Sequence, residues 1–480
     1  MTFDGCLLFS IEESPIQKDL IWTGTNDGQV QITKDGGKNW MNVSANLNVP
    51  KWGTIANIEP SKYDAGMAYI SIDLHQMGDF DPYILKTSDF GQSWSKISDG
   101  IPKSMLSFVH VVKEDPKQKG MLYAGTDNNL FVSGNDGKTW TSLRLNMPPA
   151  PVYWLEIQKE FDDLVVATYG RGFWILDDIS AVRNMAINTE DKAVKLFPVR
   201  KTYRFQETEP KHNEPTFSDG QNPTQGVVFN YFLKDTLKNT PSISILKDGK
   251  LVRKMEGTNK KGVNRVVWAL RHDAPERPKL RTLPPNAPWV VFGKDSTRNL
   301  VTWDLDLMMG QIGPKTIPGK YTAQIENESQ DFEILKDPHT AGSQSDIEEQ
   351  VAFSLQIRDA MNQAVKLINA LEIKRKKAQD LLVNMPNKKA KEKVAKIATE
   401  KYVEAATALS AQLFDINLTG AREDAFRNPM QVYEKLSALG SDIGANGADF
   451  KPTNQQREVF RILIEKLTKT QTEFEGLERH

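Results

Sequence analysis

Thr33-Lys-Asp-Gly-Gly-Lys-Asn-Trp40, Thr87-Ser-Asp-Phe-Gly-Gln-Ser-Trp94 and Ser133-Gly-Asn-Asp-Gly-Lys-Thr-Trp140 are three versions of one octapeptide. Each opens with a hydroxyl side chain, carries Asp or Asn at the third place and Gly at the fifth, and closes on Trp. That pattern specifies a tight hairpin turn. The side-chain oxygen of Asp35, Asp89 or Asn135 folds back onto nearby N–H groups, and Gly37, Gly91 and Gly137 supply positive φ without a Cβ clash. Trp40, Trp94 and Trp140 then start the next strand, placed to pack between neighbouring sheets. The aspartates of these turns read as structural, not catalytic.

The octapeptides begin 54 and 46 residues apart, the spacing of blades in a β-propeller. Other pieces recur in phase. An apolar strand precedes each turn, at 20–26, 67–73 and 122–127, and a fourth at 164–169 has no octapeptide after it. Innermost-strand candidates follow at 6–11, 54–59, 108–112 and 152–157. The expected order is inner strand, second strand, third strand, turn, outer strand, next blade. This makes three complete blades, 6–44, 54–98 and 108–144, and part of a fourth at 152–177. A closed ring needs at least about four blades and commonly has six to eight. The missing blades are therefore expected from the same gene, the chain being the C-terminal part of a longer protein, or else from a second chain.

After Asp178 the pattern changes. Residues 179–214 read as a linker. Residues 215–338 alternate in short strands separated by Lys247-Asp-Gly-Lys250, Lys260-Lys-Gly262 and Pro318-Gly-Lys320, which reads as an Ig-like β-sandwich. Proline-rich 272–312 is expected to be a long loop. From 345 to 480 the apolar spacing is helical, and Ile347, Val351, Leu355, Met361, Val365 and Ile368 share one face. Ser345 with Glu348, and Thr453 with Gln456, are candidate capping boxes. The fold class is mainly β with an α tail: a partial propeller of about three and a half blades, an Ig-like sandwich, and a helical bundle or hairpin.

Composition narrows the function. In 480 residues, 61 basic and 62 acidic side chains leave a net charge of −1, so no overall field draws nucleic acid. No apolar run reaches the ~20 residues that span a bilayer. Cys6, a single cysteine, excludes an internal disulfide. Scattered histidines without cysteine partners argue against structural zinc.

The pattern Ser/Thr-x-Asp-x-Gly-x-x-Trp resembles the Asp box, or BNR repeat, of sialidases, xyloglucanases and sortilin-like propellers. Leu246-Lys-Asp-Gly-Lys-Leu-Val-Arg-Lys254 with Gly262–Trp268 and Pro318–Tyr321 is similar to the Ig-like module of the flagellar hook-cap protein. With Val166-Ala-Thr-Tyr-Gly-Arg-Gly-Phe-Trp-Ile-Leu-Asp-Asp178 and Ile72-Asp-Leu-His-Gln-Met-Gly-Asp-Phe-Asp-Pro-Tyr83, the chain resembles the C-terminal half of large bacterial BNR-repeat, sortilin N-terminal-like "glycosyl hydrolase" proteins. That resemblance implies a periplasmic or extracellular location. The lone cysteine departs from sortilin, which is disulfide-rich beyond its propeller.

In a propeller the loops opposite the octapeptide turns usually carry the chemistry. Here Asn26, Asp73, Asp127 and Tyr169 hold equivalent positions in successive repeats and are expected to converge near the axis. Asp27 shares the first of these loops, and Trp52 and Tyr153 on adjoining loops are placed to stack on a sugar. Asp73, His75, Asp79 and Asp81 form the densest constellation, whose oxygens offer a calcium site or simply an acidic loop. Arg171 is expected to pair with Asp177 or Asp178, or else to meet a ligand. No other cofactor is indicated. A sialidase clamp needs three arginines, and residues 1–178 hold only Arg144 and Arg171. Asp73 and Asp127 remain as a carboxylate pair for a glycosidase. Two functions follow: a non-catalytic glycan- or polypeptide-binding propeller protein, or a glycoside hydrolase working through these carboxylates.

Overall fold

The computed structural model describes residues 6–186, 192–206, 220, 222–300, 310–386, 389–419, 421, 424–444 and 449–479. The chain is mostly β-sheet followed by a C-terminal helical part, and its first third is propeller-like. Four antiparallel sheets follow one another, each a simple meander. The first comprises β1 (Leu8–Glu13), β2 (Ile21–Thr25), β3 (Val30–Thr33) and β4 (Met41–Asn42). The second comprises β5 (Thr54–Pro60), β6 (Ala68–Asp73), β7 (Tyr83–Thr87) and β8 (Ser95–Lys96). The third has β9 (Val109–Glu114), β10 (Leu122–Thr126), β11 (Leu130–Ser133) and β12 (Thr141–Ser142). The fourth is three-stranded: β13 (Val152–Gln158), β14 (Asp163–Thr168) and β15 (Phe173–Leu176).

The octapeptides join the third strand to the fourth through one repeated hydrogen-bond pattern. The first hydroxyl donates to the third side chain, from Thr33 to Asp35 at 2.8 Å, Thr87 to Asp89 at 2.8 Å and Ser133 to Asn135 at 3.0 Å. That hydroxyl also accepts from the glycine N–H, and the third side chain accepts from the N–H of Asn39, Ser93 or Thr139 at 2.9 Å. The fourth residue's N–H leaves the turn and bonds the loop before the second strand, at the carbonyls of Asp19, Gly66 and Gly120, so these amides too are paired. Gly37, Gly91 and Gly137 take φ of 89°, 84° and 80°. The preceding position is also left-handed, even where it is Phe90 or Asp136.

The core of this region lies in slabs between consecutive sheets. Trp22 and Ile32 meet Ile55 and Ile70 between the first and second sheets. Tyr69 and Ile84 meet Val109 and Leu122 between the second and third. Tyr123 and Leu130 meet Leu155 and Val166 between the third and fourth. Trp94 and Trp140 each reach back onto the preceding sheet: Trp94 sits edge-on to Trp22 at 6.2 Å, and Trp140 donates to the Ile97 carbonyl at 2.7 Å. Trp40 belongs to the first sheet, with no earlier sheet among the described residues, and is 43% exposed. The outer sheets accordingly show apolar surface, Leu8, Phe9 and Ile11 at one end and Trp154, Phe173 and Ile175 at the other.

Residues read as a linker contribute structure. They form α1 (Ser180–Ala186), β16 (Val194–Leu196) and β17 (Thr202–Arg204), and both strands join the next unit. There β16 pairs with β18 (Val227–Leu233), which pairs with β21 (Gly262–Trp268). The facing sheet runs β17, β25 (Glu328–Lys336), β24 (Gly319–Ile325), β19 (Ser242–Lys247), β20 (Lys250–Glu256), with β17 parallel to β25. Phe229, Tyr231, Trp268, Tyr321 and Phe332 fill the space between the two sheets. The proline-rich stretch holds the short pair β22 (Lys279–Leu280) and β23 (Arg298–Asn299).

The helical part comprises α2 (Gln344–Asn384), α3 (Ala390–Leu413), α4 (Asp424–Arg427), α5 (Val432–Gly444) and α6 (Asn454–Leu477), with a common core from Phe353 to Leu467. Thr453 and Gln456 form the expected capping box. At the start of α2 the box is Ser343 with Asp346, not Ser345 with Glu348, because Asp346 stands at the third helical position and returns a bond to the Ser343 N–H. Buried Arg204, from β17, pairs with Asp449 and ties the sandwich to the helices. No helix among the described residues is long and apolar enough to cross a membrane.

Candidate functional site

The innermost strands β1, β5, β9 and β13 share one irregularity. Pairing with the second strand skips a residue between Leu8 and Ser10, Ile55 and Asn57, Val109 and Val111, and Val152 and Trp154. The skipped residues are Phe9, Ala56, His110 and Tyr153. A bulge re-aims the side chain it carries, so the third and fourth sheets turn an imidazole and a phenol to the same side.

The second–third strand loops close over this point. Asn26, Asp127 and Tyr169 each send their N–H to the residue leading into the inner strand, namely the carbonyls of Leu7, Phe108 and Pro151. Asp73 pairs in register with Thr54 at the matching place. The expected equivalence of these four positions is thus a property of the backbone.

The side chains there form a row of rings across three sheets. His75 stacks on Phe108 with centroids 4.7 Å apart, Phe108 meets His110 edge-on at 5.1 Å, His110 stacks on Tyr153 at 4.2 Å, and Tyr153 meets Tyr169 at 5.7 Å. Each imidazole is held by a carboxylate. His75 Nδ1 lies 2.7 and 2.8 Å from the two oxygens of Asp73, and His110 Nε2 lies 3.1 Å from Asp127 Oδ1. Phe108 and His110 are buried, whereas Tyr153 and Tyr169 are 51% and 73% exposed. Burial first, then the charges of Asp127 and Asp73, push the Tyr153 phenol up from its ordinary value. The array therefore offers two open aromatic faces beside two imidazole–carboxylate pairs.

Of the four residues expected to converge, Asp73, Asp127 and Tyr169 adjoin the ring row, together with His75 and Tyr153, and Asn26 does not. Phe108 and His110 were missed; His110 stands one residue into the Val109–Glu114 strand, where its polarity in an apolar run was the available signal. The acidic loop does not converge. Asp79 accepts from the Tyr83 hydroxyl at 2.8 Å and from the Asp81 N–H, and Asp81 pairs with Lys103. Among the described residues no group of three or more His, Cys, Asp or Glu is arranged to hold a metal ion, so the calcium option at 73–81 loses its ligands. Arg171 bonds the Gly170 carbonyl rather than Asp177 or Asp178; Asp178 instead accepts from the Ser180 N–H.

Asn26, Asp27 and Trp52 lie apart from the ring row, at the boundary of the first and second sheets. Asn26 accepts from the Leu7 N–H, and Asp27 from Thr25 and Cys6. The far ends of the inner strands carry a closed network. Buried Glu59 pairs with Lys62 and Lys113, and buried Glu114 accepts from Ser61, the Lys62 N–H and Tyr69. Glu59 is thus matched by two cations, and Glu114 by three neutral donors.

No family model matches the sequence, and no curated protein does. Among solved structures, YCF48 from Cyanidioschyzon merolae aligns at 18% identity over 35% of this chain and 53% of that one, with a TM-score of 0.27. The GH74 xyloglucanase from Xanthomonas campestris aligns at 18% identity over 35% of this chain and 28% of that one, TM-score 0.29. The GH74 enzyme of Niastella koreensis aligns at 12% identity over 53% of this chain and 41% of that one, TM-score 0.30. The chain spans about half the length of YCF48 and less of either enzyme. Likenesses this partial assign no residue a role.

Proposed function

We propose that this chain is a non-catalytic binding protein of the Asp-box (BNR) propeller type, in which the ring row recognises a glycan or a polypeptide. The row itself carries the reading. Tyr153 and Tyr169 are exposed to solvent; buried His110, itself against Phe108, stacks on Tyr153, and Tyr153 in turn meets Tyr169. Rings fixed in this way bind planar or apolar ligand surfaces at little entropic cost. In this reading the sandwich is an Ig-like spacer, the helical part a docking unit, and the location periplasmic or extracellular. Further blades, from the same gene or a second chain, cover the apolar end sheets.

The test is calorimetric titration with a panel of soluble glycans and unstructured peptides. At least one probe is expected to bind, and Tyr153→Ala with Tyr169→Ala to weaken it at least about tenfold, the loss of one good aromatic contact. Binding that the double variant leaves intact defeats the proposal. The alternative, a glycoside hydrolase, is favoured by one observation: Asp73 and Asp127 both flank the ring row through their contacts with His75 and His110. Against it, both oxygens of Asp73 face the His75 imidazole, where a retaining or inverting enzyme needs a carboxyl free to reach the sugar. Release of reducing ends by the wild type but not by Asp73→Asn or Asp127→Asn would establish the enzyme instead.

A further inference from the structure

The end of α2 and the start of α3 project beyond the core of the bundle. Between Ala378 and Ala406 no described residue is buried. The chain leaving α6 lies beside Tyr402, whose hydroxyl donates to Glu478 Oε1 at 2.6 Å, and Lys374 pairs with the same carboxylate. From Tyr402 back to Ala390, α3 extends about 18 Å further at about 1.5 Å per residue. Helices that stand in water without a bundle around them are expected to be polar all round. These are not: Leu381, Val383, Val394 and Ile397 are 51–82% exposed.

Charge is concentrated in the same place. From 376 to 401 the sequence holds eight lysines and three acids, a local charge of +5 in a chain whose total is −1. Lys376 pairs with Asp380, and Lys377, Lys391 and Lys393 are exposed. Lys391 stands three residues before Val394, and Lys393 four before Ile397, so a lysine lies beside each apolar chain of α3. A solvated face accounts for the lysines and leaves the apolar chains unexplained.

Few partners suit both features. A second copy of the chain is opposed by the like charge. Nucleic acid would engage the lysines but leave the apolar chains in water, and residues 376–401 hold no aromatic or arginine side chain to stack on a base. A bilayer surface takes both: apolar side chains enter the acyl boundary, while lysine stems lie along it and keep their ammonium groups among the headgroups. We propose that this helical pair docks on an anionic lipid surface, with Leu381, Val383, Val394 and Ile397 inserted and the surrounding lysines held by lipid phosphates. Neither helix is apolar enough to span the bilayer, so the contact is peripheral. The inference is independent of the ring row, and ligand titration there does not enter its test, so either can fail alone.

The experiment is co-sedimentation of the full chain with vesicles of phosphatidylcholine alone, or of phosphatidylcholine mixed with phosphatidylglycerol. Binding is expected to the mixed vesicles and not to the neutral ones, and to weaken at least about tenfold between about 0.05 and 0.5 M salt. Each lysine near an anionic surface is worth about fivefold, so Lys377→Gln with Lys391→Gln and Lys393→Gln should weaken binding about a hundredfold. Val383→Gln with Val394→Gln should weaken it at least about tenfold. All five side chains are exposed, so both variants should keep the wild-type helical dichroism and unfolding temperature. No binding to mixed vesicles overturns the proposal, as does equal binding to neutral ones or binding that survives the lysine substitutions. Wild-type binding by the valine variant would show adsorption by charge alone and overturn the insertion. Capture by soluble polyglutamate or duplex DNA without vesicle binding would assign the surface to an acidic protein or a nucleic acid and overturn it equally.

Discussion

Trp140 and Trp40 close the same turn in different surroundings, 7% and 43% exposed. Replacing each with alanine separates what the turn is worth from what the sheet-to-sheet packing is worth. A tryptophan buries up to about 250 Å², so the difference in exposure is about 90 Å² of surface, or roughly 2 kcal/mol at about 25 cal/mol per Å². Trp140→Ala also orphans the Ile97 carbonyl, about 1 kcal/mol, and leaves an enclosed void where Trp40→Ala leaves open surface. The Trp140 variant should therefore lose about 3 kcal/mol more than the Trp40 variant. A chain with several units has no single unfolding free energy, so the measurement is native-state hydrogen exchange at amides of β7 and β11 for Trp140, and of β3 for Trp40. Losses within about 1 kcal/mol of each other would refute the claim that these slabs, rather than the turns, hold the repeats together.

Gly125→Ala should cost about 1–3 kcal/mol by overpacking, because an added Cβ would lie 2.5 Å from Val152 Cγ1 and 2.6 Å from its carbonyl oxygen; exchange at β10 and β13 amides would report it. Bonds from the Asn39 side chain, the Asn39 N–H and Thr33 hold the Asp35 carboxyl down at about 2. Its contribution is therefore full above the unfolded value of about 3.9 and lost as pH falls through about 2, which Asp35→Asn should abolish in an acid titration followed by near-ultraviolet dichroism. Glu434 behaves oppositely. Burial pushes it up to about 7 against the bonds it accepts from the Asp415 and Gln431 N–H groups. The unfolded chain gives up this proton first, so α5 should lose stability as pH rises from about 4.5 through 7, and Glu434→Gln should flatten that loss in exchange measurements. Arg204→Ala strands the Asp449 carboxylate, which is buried; about 3–5 kcal/mol should be lost, and protease sensitivity should rise where sandwich and helices meet.

The octapeptide turns and their strands were legible because their physics is local. A hydroxyl, an Asx side chain and a glycine satisfy one another within eight residues, and the expected folding-back of the Asx oxygen reappears as hydrogen bonds in the turn. The capping box of α6 was legible for the same reason; that of α2 lies two residues earlier because Ser343 and Ser345 each have an acid three residues on, and the spacing is the same for both. Arg171 was misread because opposite charges near in sequence do not specify side-chain direction.

Sequence periodicity alone established the repeat, the strand order within each sheet, the equivalence of Asn26, Asp73, Asp127 and Tyr169, and the change from strands to helices. Tertiary structure decided the rest: the bulges that aim His110 and Tyr153, the pairing of each imidazole with a carboxylate, the membership of β16 and β17 in the sandwich, and the projection of α2 and α3 beyond the bundle core. The physical reason is range. Turns and strand alternation are settled by neighbours a few residues apart, whereas a bulge is a property of two paired strands and a site a property of adjacent sheets, and no single stretch of chain holds both halves of either.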